Sequence, residues 1–173
     1  AIQDRVGTGQ TPDAHPRMPQ IASRLHHFPI SFFAVVMGLA GLSIAWQRAE
    51  ALFELPFRAS IVLGLVSLAA FLGIAILYVL KVVRHPAEVA GELRHPVKLN
   101  FFPTISIGLV LLSIVLLHHQ FEIAKWMWMV AAAMQLAFTL YVMNAWIHRT
   151  GLDIGHANPA WFIPIVGNVL VPI

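Results

Sequence analysis

The sequence contains no cysteine, and few of its residues are charged. Without cysteine these 173 residues can form no disulfide, offer no thiolate metal ligand and supply no thiol nucleophile. Charged residues make up 11% of the chain, against about 25% in soluble globular proteins, while 58% are hydrophobic and the mean hydropathy is +0.76. A surface exposed to water needs more charge than this. The composition therefore predicts lipid as the solvent around most of the chain.

Common catalytic motifs are also missing, including His-Glu-x-x-His, Gly-x-Ser-x-Gly and a glycine loop for phosphate. The nine histidines include the pairs His26-His27 and His118-His119, but adjacent residues on a helix do not face each other and neither pair can readily chelate a metal. The basic residues lie between apolar runs rather than in one stripe, which disfavours nucleic-acid binding. We predict no enzyme activity, no metal, no cofactor and no nucleic-acid partner.

Five runs without Asp, Glu, Lys or Arg divide the chain, at 25–47, 59–80, 99–121, 126–148 and 154–173. Crossing the hydrocarbon core takes about 20 apolar helical residues. We therefore predict an all-α polytopic membrane bundle with spans at about 28–47, 57–83, 99–118, 124–147 and 159–173. The last span is cut short, so we expect a longer protein. Residues 1–24, rich in glycine, proline and polar residues, form a polar tail, and 25–173 form the transmembrane domain.

The distribution of Lys and Arg predicts the orientation in the membrane. The tail and the second and fourth connections carry eight of these residues, with Lys81 counted in the second connection, whereas the first and third connections carry three. Because positive residues concentrate on the cytoplasmic side, we predict a cytoplasmic N-terminus in an inner or plasma membrane. In the second connection, Arg-His-Pro occurs at 84–86 and again at 94–96. This repeat predicts a short helix between two proline stops, facing anionic headgroups.

Proline divides the spans into two kinds. Pro29, Pro103 and Pro164 lie near the starts of the odd spans, and the even spans contain no proline. A short echo joins the first two odd spans, FPIS at 28–31 and FPTIS at 102–106. The pattern predicts repeated helical hairpins in which the odd helices line a path, because proline frees carbonyls that protein or a water-filled cavity must satisfy. The alternative is that each proline is simply a favourable first-turn residue.

Small and polar residues within the spans predict how the helices pack. Ala34, Gly38, Gly41 and Ala45 have a spacing that lets helix backbones approach closely. Gln135 lies one turn before Thr139, and such residues usually hydrogen-bond across helices. The charge-free runs contain no intramembrane carboxylate of the kind that marks proton relays, which favours passive passage over proton-driven transport.

Four segments resemble the tellurite-resistance/C4-dicarboxylate transporter family, which includes bacterial TehA, plant slow anion channels and the yeast malic acid permease. The segments are HFPISFF at 27–33, GLAGL at 38–42, HPVKLNFFP at 95–103 and NPAWFIP at 158–164. The resemblance implies ten helices in five hairpins around a central pore, with the odd helices lining it, in a homotrimer with one pore per subunit. Carried over to this chain, Pro103 and Pro164 are pore-helix positions.

The resulting hypothesis is an anion channel or passive anion transporter for small anions such as chloride or nitrate. The predicted wall residues are Phe33, Gly38, Pro103, Ser106, Pro164 and Asn168. Pore width and helix-end dipoles would set its selectivity. The alternative is a proton-coupled secondary transporter of C4-dicarboxylates or another organic anion, and a third possibility is a membrane partner that transports nothing.

Overall fold

The computed structural model describes residues 28–148 and 159–172, and all regular structure in these two ranges is helical. Its α-helices are α1 (Phe33–Phe53), α2 (Ala59–Arg84), α3 (Pro86–Arg94), α4 (Pro103–Leu116), α5 (Phe121–His148) and α6 (Ile163–Leu170). Short 3₁₀ turns precede the three odd spans, at Ile30–Phe32, Lys98–Phe101 and Pro159–Phe162. The all-α class is thus confirmed for these ranges. The predicted polar tail at 1–24 lies outside the described residues.

Four helical segments are long and apolar enough to cross a membrane: Ile30–Phe53, Ala59–Arg84, Lys98–Leu116 and Phe121–His148. A shorter apolar segment, Pro159–Leu170, follows. In an apolar 18-residue stretch of the third segment 72% of the residues are buried, against 22% to 28% in the corresponding stretches of the other three, so the third span is the centre of the bundle. Large apolar side chains cover the outer faces of α2 and α5, as expected where lipid surrounds the protein.

The first helix continues to Phe53, six residues beyond the predicted end of the span at 47. The charged residues that set the predicted boundary lie within its last turns rather than after it. One of them, Glu50, accepts a hydrogen bond from the Ser60 backbone N–H at 2.9 Å and one from the Ser60 hydroxyl. Glu50 therefore caps the first turn of α2, where backbone N–H groups lack helical partners.

The odd spans begin at the same end of the bundle. The 3₁₀ turn Lys98–Phe101 packs against both Ile30–Phe32 and Pro159–Phe162. Pro103 and Pro164 occupy the first turns of α4 and α6, and Pro29 directly precedes the first 3₁₀ turn. A first-turn proline lacks only an N–H that has no helical partner. These prolines therefore shape the helix starts and do not kink the middle of a span.

The third span is the one that most of the other spans contact. The central helix α4 contacts α1, α5 and α6 and, less extensively, α2. Phe33 on α1 lies edge-on to Phe71 and Tyr78 of α2, with ring centroids 5.7 Å and 6.0 Å apart. Tyr78 in turn meets Phe102, at the start of the third span, at 6.3 Å. These aromatic rings form the core near the ends where the odd spans begin.

The glycines with the least room for a side chain are not those of the predicted set. At Gly38 and Gly41 of α1, an added Cβ would meet no atom within 4 Å. At Gly64 of α2, by contrast, a Cβ would lie 2.7 Å from Cγ1 of Val115 and 3.3 Å from Oγ of Ser43. Gly64 therefore leaves the space in which the first and third spans pack closely against α2.

We expect Gly64→Ala to destabilise the bundle by about 1–3 kcal/mol, because the added methyl overlaps a well-packed β-branched side chain. The matched control is Gly73→Ala on the same helix, where the added Cβ meets nothing within 4 Å. This control should change stability by no more than about 1 kcal/mol, in the stabilising direction. Thermal unfolding in detergent measures both variants. Equal shifts would contradict this account of α2 packing.

Candidate functional site

The fourth span carries a buried polar side chain at its midpoint. Gln135 lies halfway along α5 and is fully buried, with 0% of its surface exposed. At 1.5 Å per residue it lies about 20 Å from either end of the helix, near the expected centre of the bilayer. An amide at this depth has no water to bond with and needs partners from the protein.

One side of the Gln135 amide meets the third span. The Ser106 hydroxyl of α4 lies 2.7 Å from Oε1 of Gln135 and 2.9 Å from the Pro103 carbonyl oxygen. A hydroxyl has a single proton, so Ser106 shares it between these two acceptors. This contact ties the first turns of α4 to the middle of α5.

The other side of the amide meets the fifth span. Nε2 of Gln135 donates to the Pro164 carbonyl at 3.0 Å and to Oγ1 of Thr139 at 3.3 Å. Nδ2 of Asn168 donates to the same two acceptors, each at 3.0 Å. Each amide nitrogen has two hydrogens, and the contacts account for all four. The network therefore leaves no free amide donor for a ligand.

Gly167 makes room for the network. An ideal Cβ built at Gly167 would overlap the amide of Gln135. The absence of a side chain at this position thus lets α6 lie directly on the buried glutamine, as small residues do between membrane helices. We call the set formed by Ser106, Gln135, Thr139, Asn168 and the Pro164 carbonyl the Gln135 network.

The six predicted wall residues fall into two groups. Pro103, Ser106, Pro164 and Asn168 meet at or beside the Gln135 network. Phe33 and Gly38 lie apart from it on α1, Phe33 buried in the aromatic core and Gly38 exposed. The cross-helix hydrogen bonding predicted for Gln135 is confirmed, whereas its precise partners on two odd spans were not predicted.

A second buried polar contact was missed by the sequence reading. Lys81, near the end of the predicted span 57–83, was counted among the cations of the second connection, but it lies inside α2 and is 1% exposed, paired with Glu92 of α3. The predicted short helix is present as α3, yet its Glu92 faces the bundle and not the lipid headgroups. One sequence feature could have indicated this burial. Lys81 follows Tyr78 by three residues, a spacing that places both side chains on the same face of a helix, and in α2 that face is buried.

The electrostatics of the Gln135 network come from neutral dipoles alone. Its members are hydroxyls, amides and carbonyls, and the helices α4 and α6 carry no charged residue. Within residues 28–148 and 159–172, no group of three His, Asp or Glu side chains is placed to hold a metal ion. What this arrangement can do is fix the register of the third and fifth spans against the fourth.

Four membrane-capable helices, with apolar side chains outside and paired polar side chains inside, define an α-helical integral membrane protein. A family model described as "Voltage-dependent anion channel" (SLAC1) matches residues 27–173. The chain belongs to the SLAC1 family.

Individual relatives agree with this assignment. The chain is 28% identical over 153 residues to an uncharacterized transporter of Methanocaldococcus jannaschii, covering 87% of this chain and 45% of the relative. It is 31% identical over 140 residues to the "Tellurite resistance protein TehA homolog" of Haemophilus influenzae, covering 80% and 42%. It is 26% identical over 151 residues to the "S-type anion channel SLAH2" of Arabidopsis thaliana, covering 83% and 29%.

The resemblance drawn from the four sequence segments is thus confirmed at the level of the family. The chain spans less than half the length of each of these three relatives. Members of this family are described as channels and transporters.

We expect Gln135→Leu to destabilise the bundle by about 1–2 kcal/mol, because it removes the common partner of the third and fifth spans. A cycle with Ser106→Ala should give a coupling of roughly 0.6 kcal/mol, typical of hydrogen bonds between membrane helices. The control is Gln120→Leu, at an exposed position between α4 and α5. Thermal unfolding in detergent gives each value. A coupling of zero would mean that the network does not hold these spans together.

Proposed function

We propose that this chain forms the first part of a passive anion pathway through the plasma membrane, with the odd spans as its wall. The observation that carries the proposal is the order of packing. The central helix α4 lies against both α1 and α6, so the helices of the first, third and fifth spans form one continuous row. The proline-free helices flank this row, α2 against α1 and α4, and α5 against α4 and α6.

The charge distribution supports passive passage of anions. The helices of the third and fifth spans, α4 and α6, carry no ionisable residue. The charges of α1, the helix of the first span, lie in its last turns. All three odd spans begin at one end, where the positive ends of the helix dipoles favour anions. With a cytoplasmic N-terminus, as the Lys and Arg count favours, this end is the cytoplasmic mouth.

In this proposal the pathway is completed by further helices, to ten spans in five hairpins, and three such subunits form a homotrimer. The six predicted residues, Phe33, Gly38, Pro103, Ser106, Pro164 and Asn168, belong to the wall and its support. Gly38 presents an open backbone face on α1, whereas Ser106 supports the wall by holding Gln135. Pore width and dipoles then select small monovalent anions such as chloride or nitrate.

The direct test is anion flux by the intact protein reconstituted in liposomes. We expect chloride or nitrate to cross with no proton gradient, because the described spans offer no intramembrane proton relay. Saturable malate or succinate flux that strictly requires protons would identify the proton-coupled carrier instead. Absence of flux for every anion tested would leave a membrane protein that transports nothing and would refute the proposal.

Substitution of a wall glycine tests the position of the pathway. We expect Gly38→Leu to reduce flux by about tenfold or more, because conduction depends on pore width. The matched control is Gly73→Leu on the even helix α2, since an added Cβ meets nothing within 4 Å at either glycine. The control should conduct like the wild type. Loss of flux in Gly73→Leu with normal flux in Gly38→Leu would place the pathway beside the even helices.

A further inference from the structure

The end of α2 carries a buried ion pair. Nζ of Lys81 lies 2.7 Å from Oε1 of Glu92, and the two side chains are 1% and 7% exposed. Lys81 is three residues from the end of α2, a position from which a lysine can normally extend to the membrane surface. Here it points into the bundle instead. The placement therefore needs another explanation than solvation of a terminal lysine.

Lys81 also holds the start of the first span. Its Nζ donates to the carbonyl oxygen of Phe28 at 2.7 Å, across 53 residues of sequence. Phe28 directly precedes Pro29 and the 3₁₀ turn that begins the first span. Because the ring of Pro29 fixes its φ, a hydrogen bond to the Phe28 carbonyl also restricts the turn that follows. One ammonium group thus connects α3 with the first odd span.

Glu92 is held on its other side as well. Its Oε2 accepts a hydrogen bond from the Tyr78 hydroxyl at 3.1 Å. Nζ of Lys81 lies 5.9 Å from the centre of the Tyr78 ring, within range of a cation–π interaction. Tyr78 itself packs against Phe33 and Phe102 of the first and third spans. We call Lys81, Glu92, Tyr78 and the Phe28 carbonyl the Lys81 clamp.

The clamp is a buried polar attachment of α3 to the bundle. Val89 and Glu92 are the buried residues of this nine-residue helix, and Val89 joins the aromatic core. The helix packs against α2 and against the 3₁₀ turn Lys98–Phe101 that begins the third span. It therefore lies at the end where the odd spans start, beside the mouth of the proposed pathway.

Stability alone does not account for the clamp. Desolvating two charges opposes their attraction, and well-packed apolar residues often stabilise a buried site as well as an ion pair does. The charged groups add directional contacts, because Nζ of Lys81 must meet two oxygens from two different segments at once. These two contacts restrict the placement of α3 relative to the first span.

We propose that Lys81 is a positioning residue for the mouth of the anion pathway. Through the Lys81 clamp it sets where α3 and the turn at 30–32 lie relative to each other. The inference rests on the proposed function for its effect on flux. The placement of α3 relative to the turn at 30–32 does not depend on transport and is tested separately.

The local claim is tested by hydrogen exchange in the intact protein. We expect Lys81→Met to speed amide exchange about tenfold in 86–94 and in the first turn of α1, with α5 unchanged. The matched control is Lys98→Met, which removes an exposed lysine and should exchange like the wild type. Unchanged exchange in 86–94, or equal acceleration throughout the protein, would overturn the clamp as a local device.

The double variant Lys81→Met/Glu92→Met separates positioning from stability. It removes both charges, so no unpaired carboxylate stays buried, and the protein should fold even where the single variant does not. Its melting temperature should return toward that of the wild type, while exchange at 86–94 stays fast because the bond to the Phe28 carbonyl is lost. Exchange restored together with stability would overturn the positioning role.

The flux claim is tested on the same variants in liposomes, at matched amounts of folded protein. We expect both Lys81 variants to lose flux by about threefold or more, a size typical of residues that act from outside the ligand path. Local loosening with wild-type flux would overturn the positioning role and leave the proposed function intact. If wild-type protein carries no anion, the proposed function fails and the role in flux with it, while hydrogen exchange still decides whether the clamp exists.

Discussion

The structure depends on one constraint, which is that polar groups inside a bilayer must find their partners within the protein. The Gln135 network meets it at the middle of the fourth span, where the glutamine amide pairs with a hydroxyl on one neighbour and a carbonyl on the other. The Lys81 clamp meets it near one end, where an ammonium group pairs with a carboxylate and a carbonyl. The network and the clamp each join three segments of chain. The hydrogen bonds that satisfy these polar groups therefore also fix the positions of the helices.

The same constraint explains where proline is tolerated. Pro103 and Pro164 lie in first turns, where no helical hydrogen bond is lost, and the Pro164 carbonyl is used by two amide nitrogens. The presence of proline on the odd spans alone therefore reflects how these spans begin, and not a kink within them. Proline marks the starts of the odd spans, and these starts pack together at one end of the bundle.

Polar and charged groups are distributed by depth. The middle of the bundle contains neutral hydroxyls and amides that are occupied by one another, whereas the charged residues of the described spans lie within the last or first turns. A path built from such helices would present dipoles and apolar surface, and not a fixed charge, to a passing ion. The family assignment and this distribution support the same class of function.

By itself the sequence determined the membrane environment, the all-α class and the family, because charge-free runs and short motifs are properties of consecutive residues. It also indicated that Gln135 bonds across helices. Only the tertiary structure decided the partners, since Ser106 and Pro164 each lie 29 residues from Gln135, in opposite directions, and Phe28 lies 53 residues from Lys81. Which side chains meet depends on the rotation of each helix and on the order of its neighbours. An almost uniformly apolar span encodes neither strongly, which is why Lys81 was placed in a connection although it is buried in the bundle.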